Sequence, residues 1–215
     1  MLELFGPSSA GKSSLAARLV AGGSVVHAQD RLLGRCGLAW LRGRLLRTLA
    51  VDSIAALGVL VTWRAGSAYY VFAAKQVLRM SPASVPLRLN LLRNAWKAAA
   101  LRLLAPRLAT PGECLLMDEG PLQAANYLLV NAHAAPDAAA LEAFLRVVPL
   151  PDAAAYVRAP EQELVSRTLQ RTHPRIPDGS RDATERFVMH ALRVFDRVAE
   201  EPSVKARLCA PEAWA

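Results

Sequence analysis

The sequence contains little that would indicate a secreted, zinc-binding or membrane-spanning protein. Its three cysteines, Cys36, Cys114 and Cys209, are widely spaced and form no C-x-x-C pair, so we expect reduced thiols and no zinc site. The longest uncharged stretch in the apolar middle of the chain, 53–63, has 11 residues, which is short for a membrane span. The predicted first strand begins at Leu2 and leaves no room for a signal peptide. These features predict a cytoplasmic protein.

Acidic residues are scarce over 31–107, which contains thirteen Lys or Arg and one acid, Asp52. This segment therefore has a net charge of +12, whereas the whole chain has +8, so the remainder carries −4. Four interpretations stay open for the basic segment: a solvated surface, an anionic small-molecule substrate, a membrane surface or lipid-linked substrate, and a nucleic acid. No nucleic-acid partner is expected, because aromatic residues make up only 6% of the chain and no base-reading module is recognisable.

The length of 215 residues and the hydrophobic content of 53% predict one globular domain over 1–215. In its middle part, leucines recur at three- and four-residue spacing from Leu38 to Leu49, and again from Leu89 to Leu103. This spacing indicates helices with an apolar stripe. We predict that 31–109 is an Arg-rich helical insertion with no strands and no linker of its own, and that Pro82 and Pro86 break its helices with a turn.

A glycine-rich motif follows the predicted first strand. Residues 6–13 read Gly-Pro-Ser-Ser-Ala-Gly-Lys-Ser, which fits G-x-x-x-x-G-K-[ST] between a strand and a helix-forming run. In that setting, backbone amides at the start of the helix bind phosphate oxygens. Lys12 contacts the β and γ phosphates, and the Ser13 hydroxyl binds Mg²⁺. The predicted phosphate-binding residues are Gly6, Ser8, Ser9, Ala10, Gly11, Lys12, Ser13 and Ser14.

Two further predicted strands are followed by acidic residues. The strand predicted over 113–117 precedes Asp118 and Glu119, and the second predicted strand precedes Asp30. Ligands of open α/β sheets lie beyond the carboxyl ends of the strands, so Asp118 is predicted to share Mg²⁺ with Ser13. Glu119 polarises a water, takes a proton from a substrate hydroxyl, or only orients the next loop. Asp30 faces the substrate or caps the following helix.

Arginines are predicted to form a lid over 167–182. Arg167 and Arg171 lie four residues apart on a predicted helix and therefore share one face. Cations that close over a migrating phosphoryl group stabilise its charge and exclude water. Beyond the lid and the helix after it, residues 204–209 are predicted to form a fifth strand.

The sequence after the fourth predicted strand resembles a known family. Tyr-Val-Arg-Ala-Pro at 156–160, followed by Glu163, Arg167 and Arg171, resembles the fourth strand, helix and arginine lid of P-loop kinases of the nucleoside and nucleotide kinase group. The loop at 8–13 is similar to that of antibiotic-modifying kinases such as chloramphenicol phosphotransferase. The resemblance covers a little under half of the chain, namely 1–30, 113–121 and 153–200.

The resemblance implies an α/β, three-layer P-loop NTPase fold. It implies a parallel five-stranded sheet in the order 2-3-1-4-5, helices on both faces and a helical insertion after strand two. It also implies ATP and Mg²⁺, and an acid after strand two, here Asp30, that binds or deprotonates the acceptor. The segment 31–109 differs from the nucleotide-binding region of adenylate, guanylate and thymidylate kinases. Asp118-Glu119-Gly120 likewise replaces the Asp-Arg pair of deoxynucleoside and thymidylate kinases. Metabolites, sugars and antibiotics with a hydroxyl group are therefore considered beside nucleosides.

We accordingly expect an ATP- and Mg²⁺-dependent small-molecule kinase that transfers the γ-phosphoryl group to a hydroxyl acceptor. ATP is preferred to GTP because the sequence has no Asn/Thr-Lys-x-Asp guanine-reading motif. One alternative is an ATPase switch in which Glu119 activates water and the basic helices dock a partner or a membrane. Another is a nucleotide-binding protein without chemistry. The predicted catalytic residues are Lys12, Asp30, Asp118, Glu119, Arg167 and Arg171.

Overall fold

A parallel sheet of four strands forms the framework of the computed structural model, which describes residues 1–80, 84–171, 175–176 and 179–210. The strands stand in the order β2-β3-β1-β4, with β1 in the interior paired to both β3 and β4. Every residue of β1 is fully buried, as expected for a central strand of a parallel sheet. The strands are β1 (Leu2–Phe5), β2 (Val26–His27), β3 (Leu115–Met117) and β4 (Ala153–Tyr156).

Helices account for most of the remaining described residues. Side chains cap several of them: Ser84 accepts a hydrogen bond from the Leu87 amide, and Asp137 accepts two from Ala139 and Ala140. Such caps satisfy amides that lack a partner in the first turn. The helices are α1 (Lys12–Ala21), α2 (Ala28–Arg35), α3 (Arg44–Arg79), α4 (Val85–Leu108), α5 (Ala124–Leu129), α6 (Ala138–Val147), α7 (Glu161–Arg171), α8 (Arg181–Glu200) and α9 (Pro202–Lys205).

The mixed α/β class and the parallel sheet are confirmed, but the prediction of a fifth strand over 204–209 is wrong for the described residues. Pro202 begins the short helix α9, since its fixed φ suits the first helical turn. The chain then returns to β4 for a single bridge between Ala154 and Leu208. The Cys209 amide donates to the Ala154 carbonyl at 2.9 Å, and the pairing extends no further.

The basic segment forms three helices, and the turn predicted near Pro82 falls on 81–83, outside the described residues. Between α2 and α3 the chain is irregular, and Gly37 and Gly43 have φ of 70° and 107°. Residues with side chains rarely adopt such values, so these glycines break the predicted helix. By length and composition alone α3 could cross a membrane, because an 18-residue window within it has a mean hydropathy of 1.7. The expectation that no segment approaches a membrane span is therefore wrong by that criterion.

The long helices α3 and α4 pack along each other and share a core with the sheet. Tyr69 and Tyr70 of α3 are fully buried, and the Tyr70 hydroxyl lies 2.7 Å from the Thr62 hydroxyl. Facing them, α4 contributes small side chains, including Ala95 and Ala99. One hydrophobic cluster joins these residues to β1, α5, α6 and α8. Through Phe5, the carboxyl end of β1 belongs to the same core as α4.

Candidate active site

The glycine-rich motif forms a tight loop between β1 and α1. Gly6 has φ of 143°, and a Cβ there would lie 2.2 Å from the Val157 carbonyl oxygen, so no other residue fits. Ser9 has a left-handed φ of 66°, and Gly11, at the N-cap of α1, has φ of 98° and no capping side chain. The loop therefore presents the uncapped start of α1, with its partial positive charge, to one side of the sheet.

Lys12 lies across this loop. Its Nζ donates hydrogen bonds to the carbonyl oxygens of Gly6 at 2.8 Å and Pro7 at 2.7 Å. Burial lowers the pKa of Lys12 to about 8, and the nearby Glu119 and Asp118 oppose that shift. Lys12 is therefore still mostly charged at pH 7, and acceptor oxygens of the loop hold its ammonium in place.

Two clefts open on either side of the loop. The first, here called the arginine cleft, has a volume of about 780 Å³. Arg167 lies at its edge, where its guanidinium donates to the Ser9 carbonyl at 3.1 Å and pairs with Glu163. Its field is positive and suits an anion. The cleft is lined by residues 9–15 together with Arg18, Tyr156, Val157, Arg158, Arg167 and Arg171.

The second, here called the carboxylate cleft, has a volume of about 370 Å³. Asp118 and Glu119 reach it because they directly follow β3, which pairs with β1 next to the loop. Its far wall comes from α4 and α5, which contribute amide and apolar side chains. The lining residues are Ser8, Ser9, Lys12, Ser13, Leu87, Asn90, Leu91, Asn94, Asp118, Glu119, Gln123, Asn126, Tyr127, Thr168, Arg171 and Arg175.

Asn126 and Tyr127, which sequence reasoning missed, fix the polarity of the carboxylate cleft. Asn126 is 2% exposed, and its Nδ2 donates to the Ser8 hydroxyl at 3.2 Å. Its Oδ1 has no hydrogen-bond partner among the residues that the structure describes, although buried acceptors are normally satisfied. Burial raises the pKa of Tyr127, and the negative charge of the nearby Glu119 adds to that shift. The cleft thus offers a buried hydrogen-bond acceptor, the Asn126 Oδ1, to an N–H or O–H group of a ligand.

Glu3 and Gln123, also missed, link the sheet to the loop. Glu3 is fully buried, and its Oε1 accepts a hydrogen bond from the backbone N–H of Gln123 at 3.0 Å. Burial raises the pKa of Glu3 to about 8. The Gln123 side chain in turn accepts a hydrogen bond from the Gly6 amide at 3.0 Å. The one available sequence signal was an acid inside an otherwise apolar strand, Leu2–Phe5.

The predicted site residues come together in part. Lys12, Asp118, Glu119 and Arg171 line the carboxylate cleft with Ser13. Of the other predicted phosphate-binding residues, Gly11, Ala10 and Ser14 line the arginine cleft, Ser8 lines the carboxylate cleft and Ser9 lines both, while Gly6 begins the loop. Arg167 lies in the arginine cleft.

Asp30 does not join this group. It lies in the first turn of α2, is 51% exposed and pairs with Arg47 of α3. Within the described ranges it lines neither cleft. Its carboxylate therefore holds α2 to α3.

The predicted lid, 167–182, is described only in part, because 172–174 and 177–178 lie outside the described residues. Arg167 and Arg171 belong to the last turns of α7. Arg175 is half-buried, donates to the Asn126 carbonyl at 2.6 Å and lies 4.9 Å above the ring of Phe187. Arg175 therefore supports the wall of the carboxylate cleft.

The residues present fit a magnesium ion held largely by a ligand. The Ser13 hydroxyl and the Asp118 carboxylate line one cleft, and both are oxygen donors of the kind that Mg²⁺ prefers. In the described part of the chain, no group of three or more His, Cys, Asp and Glu side chains is close enough to hold a metal by itself. Phosphate oxygens and water would complete the coordination.

No protein-family model, curated protein or solved structure matches this chain.

Proposed function

We propose that the chain is an ATP- and Mg²⁺-dependent small-molecule kinase with a P-loop kinase fold. The observation that carries this proposal is the position of the loop between two clefts. Ser9, Lys12, Ser13 and Arg171 line both of them. A group bound at these four residues is thus accessible from either side, which is the arrangement that transfer between two substrates requires.

The arginine cleft is the proposed ATP site. Its lining of loop residues and four arginines matches a polyphosphate, because the start of α1 and guanidinium groups both favour negative charge. Lys12 and Arg171 would then lie beside the terminal phosphate, where charge develops during transfer. Mg²⁺ held by Ser13 and Asp118 would neutralise part of that charge.

The carboxylate cleft is the proposed acceptor site. At about 370 Å³ it can accept a small molecule, whereas hydrolysis would need room only for water. Asn90, Asn94 and the unsatisfied Oδ1 of Asn126 suit a ligand with several hydroxyl groups. Asp118 and Glu119 disfavour a ligand with negative charge on that side. We therefore favour an uncharged polyhydroxyl acceptor such as a sugar or nucleoside.

Glu119 is the proposed base. It lines the cleft next to the loop, whereas Asp30 is tied to Arg47. In the proposed reaction the acceptor oxygen forms a bond to the γ phosphorus while the bond from that phosphorus to the bridging β–γ oxygen breaks. The hydroxyl proton passes to Glu119, and ADP leaves.

A transfer assay tests this proposal. The purified chain is incubated with MgATP and a panel of nucleosides, sugars, aminoglycosides, phenicols and lipid-linked acceptors, and ADP release and acceptor mass are measured. One acceptor should accelerate ADP release and gain one phosphoryl group. Lys12→Ala should lower kcat by at least about a hundredfold, whereas the matched change Lys205→Ala, at an exposed lysine of α9, should leave it unchanged.

Two results would overturn the proposal. If Lys12→Ala turns over at the wild-type rate, Lys12 and its loop take no part in phosphoryl transfer. ADP release that responds to vesicles or a macromolecule, with water as the phosphoryl acceptor, would identify an ATPase switch instead.

A further inference from the structure

The outer face of α3 carries an apolar stripe, which Arg64 and Lys75 interrupt. Its members, here called the α3 stripe, are spaced so that all of them lie on one side of the helix. Each is at least 43% exposed, and Leu60 and Leu78 exceed 70%. The opposite side of α3 is already buried against the protein through Tyr69 and Tyr70. The α3 stripe consists of Leu46, Leu49, Leu57, Leu60, Val71 and Leu78.

Further large apolar side chains are exposed before α3 and at the start of α4. Trp40, four residues before the first residue of α3, is 71% exposed. Val85 and Leu89 of α4 are 66% and 62% exposed. A helix that is apolar on both faces needs a second partner for the outer face. Exposed tryptophan beside such a surface is typical of a membrane interface.

Positive charge accompanies the α3 stripe from its middle to its end. Arg64 lies in its middle, and Lys75 and Arg79 lie at its end, all of them exposed. The one acid of α3, Asp52, is 13% exposed and pairs with Arg93 and Lys97 at 3.1 Å each. The solvent-facing side of α3 therefore combines apolar and cationic groups without a free carboxylate.

This charge pattern argues against a second copy of the chain as the occupant. The charged residues on the side of α3 that carries the stripe, Arg64 and Lys75, are both basic, so two facing stripes would bring only like charges together. Like charges in such positions oppose association. An anionic lipid surface complements the apolar and the cationic groups together.

We propose that α3 docks along the surface of an anionic membrane, with the α3 stripe in the headgroup region. The 36 residues of α3 extend about 54 Å, well beyond the roughly 30 Å of a bilayer core, and Arg64 lies near the middle. A helix of this kind lies in the interface plane, where arginine and lysine contact lipid phosphates. This inference is independent of the proposed kinase activity.

Vesicle co-sedimentation of the full chain tests the proposal. Vesicles of phosphatidylcholine and phosphatidylglycerol in equal amounts should bind the chain, whereas phosphatidylcholine alone should bind it much more weakly. Leu57→Gln with Leu60→Gln should lower the partition coefficient by at least about tenfold, and Arg64→Gln by about fivefold. Arg193→Gln, at an exposed position of α8, should leave binding unchanged. Circular dichroism checks that each variant stays folded.

Three outcomes would contradict membrane docking. The first is absence of binding to the mixed vesicles, or equal binding by the double leucine variant. The second is a wild-type dimer that the double variant converts to a monomer, which would assign the stripe to a second copy. The third is retention in membranes after an alkaline wash, which would assign α3 as a span.

Discussion

At the scale of single residues, Glu3 connects the chemistry of the core with the predicted phosphate loop. Its carboxyl oxygen accepts a hydrogen bond from the backbone N–H of Gln123, and the side-chain oxygen of Gln123 accepts one from the backbone N–H of Gly6. A Cβ on Gly120 would lie 2.2 Å from the Glu3 carboxyl carbon, so the chain after β3 passes directly over this group. Glu3 is thus a positioning residue for both the loop and the segment that carries Asp118 and Glu119.

The raised pKa of Glu3 predicts a specific pH dependence of stability. The folded chain keeps this proton up to about pH 8, whereas the unfolded chain loses it near 4.5. Because the unfolded state binds fewer protons between those values, the free energy of unfolding should fall as the pH rises from about 4.5 to 8. The slope is at most about 1.4 kcal/mol per pH unit. Below 4.5 both states are protonated and the effect vanishes.

Glu3→Gln should remove this slope, because the amide keeps an oxygen for the Gln123 N–H but does not ionise. Urea unfolding of wild type and variant, at several pH values across this window, measures the difference. If the free energies of unfolding of wild type and variant change equally with pH, Glu3 does not cause the pH dependence. Gly120→Ala serves as a control for packing, since it should destabilise the chain at every pH by crowding Glu3.

At the scale of elements, the α3–α4 pair depends on two glycines of α3 that differ in what surrounds them. A Cβ on Gly66 would lie 2.7 Å from the Tyr70 ring and 2.8 Å from Leu103. Tyr70 is buried, hydrogen-bonded to Thr62 and contacted by two tryptophan rings, so it cannot move aside. A Cβ on Gly58 meets the flexible end of Leu104 at 2.9 Å, which can rotate.

Gly66→Ala should therefore destabilise the chain by about 1–2 kcal/mol, because the clash exceeds the gain in helix propensity of about 1 kcal/mol. Gly58→Ala should be neutral or stabilising, because the same propensity gain meets a softer neighbour. Thermal and urea unfolding measure both variants. Equal losses at the two positions would contradict the packing described for Tyr70.

Elements were predictable where their determinants are local. The sequence predicted the strand at 2–5, the loop and the start of α1, because the residues that determine them are close together in the chain. Gly6, Gly11 and Lys12 all belong to the loop or to the first turn of α1. The fifth strand was predicted wrongly because apolar residues at 204–209 suggest a strand, whereas Pro202 starts a helix. Asp30 was assigned to the substrate because its pairing with Arg47, 17 residues away, depends on where α3 begins.

At the scale of the whole molecule, the far wall of the carboxylate cleft could not be predicted from the sequence. The bonds from Gln123 to Gly6 and to Glu3 join residues 117 and 120 positions apart. The far wall of the carboxylate cleft comes from Asn90 and Asn94 of α4, inside the segment that the sequence identified only as basic and helical. Nothing local in the sequence relates those asparagines to the loop.

Taken as a whole, the described chain places two different surfaces at separate positions. The clefts open where the loop, α4, α5 and α7 meet, while the α3 stripe faces outward along a single helix. If both proposals hold, the acceptor site is carried on a membrane-docked protein, and acceptors that reside at a membrane become the first to screen.

Site-resolved nuclear magnetic resonance of the ¹⁵N-labelled chain tests the central claim most directly, because that claim concerns the backbone amides of the loop. Titration with MgATP should shift the amide signals of Ser9, Gly11, Lys12, Ser13 and Ser14 more than any others, and adenosine alone should leave them in place. Lys12→Ala should reduce these shifts, and Lys205→Ala should not. If saturating MgATP leaves the loop amides unchanged, or shifts mainly signals outside the two clefts, the loop does not bind a nucleoside triphosphate.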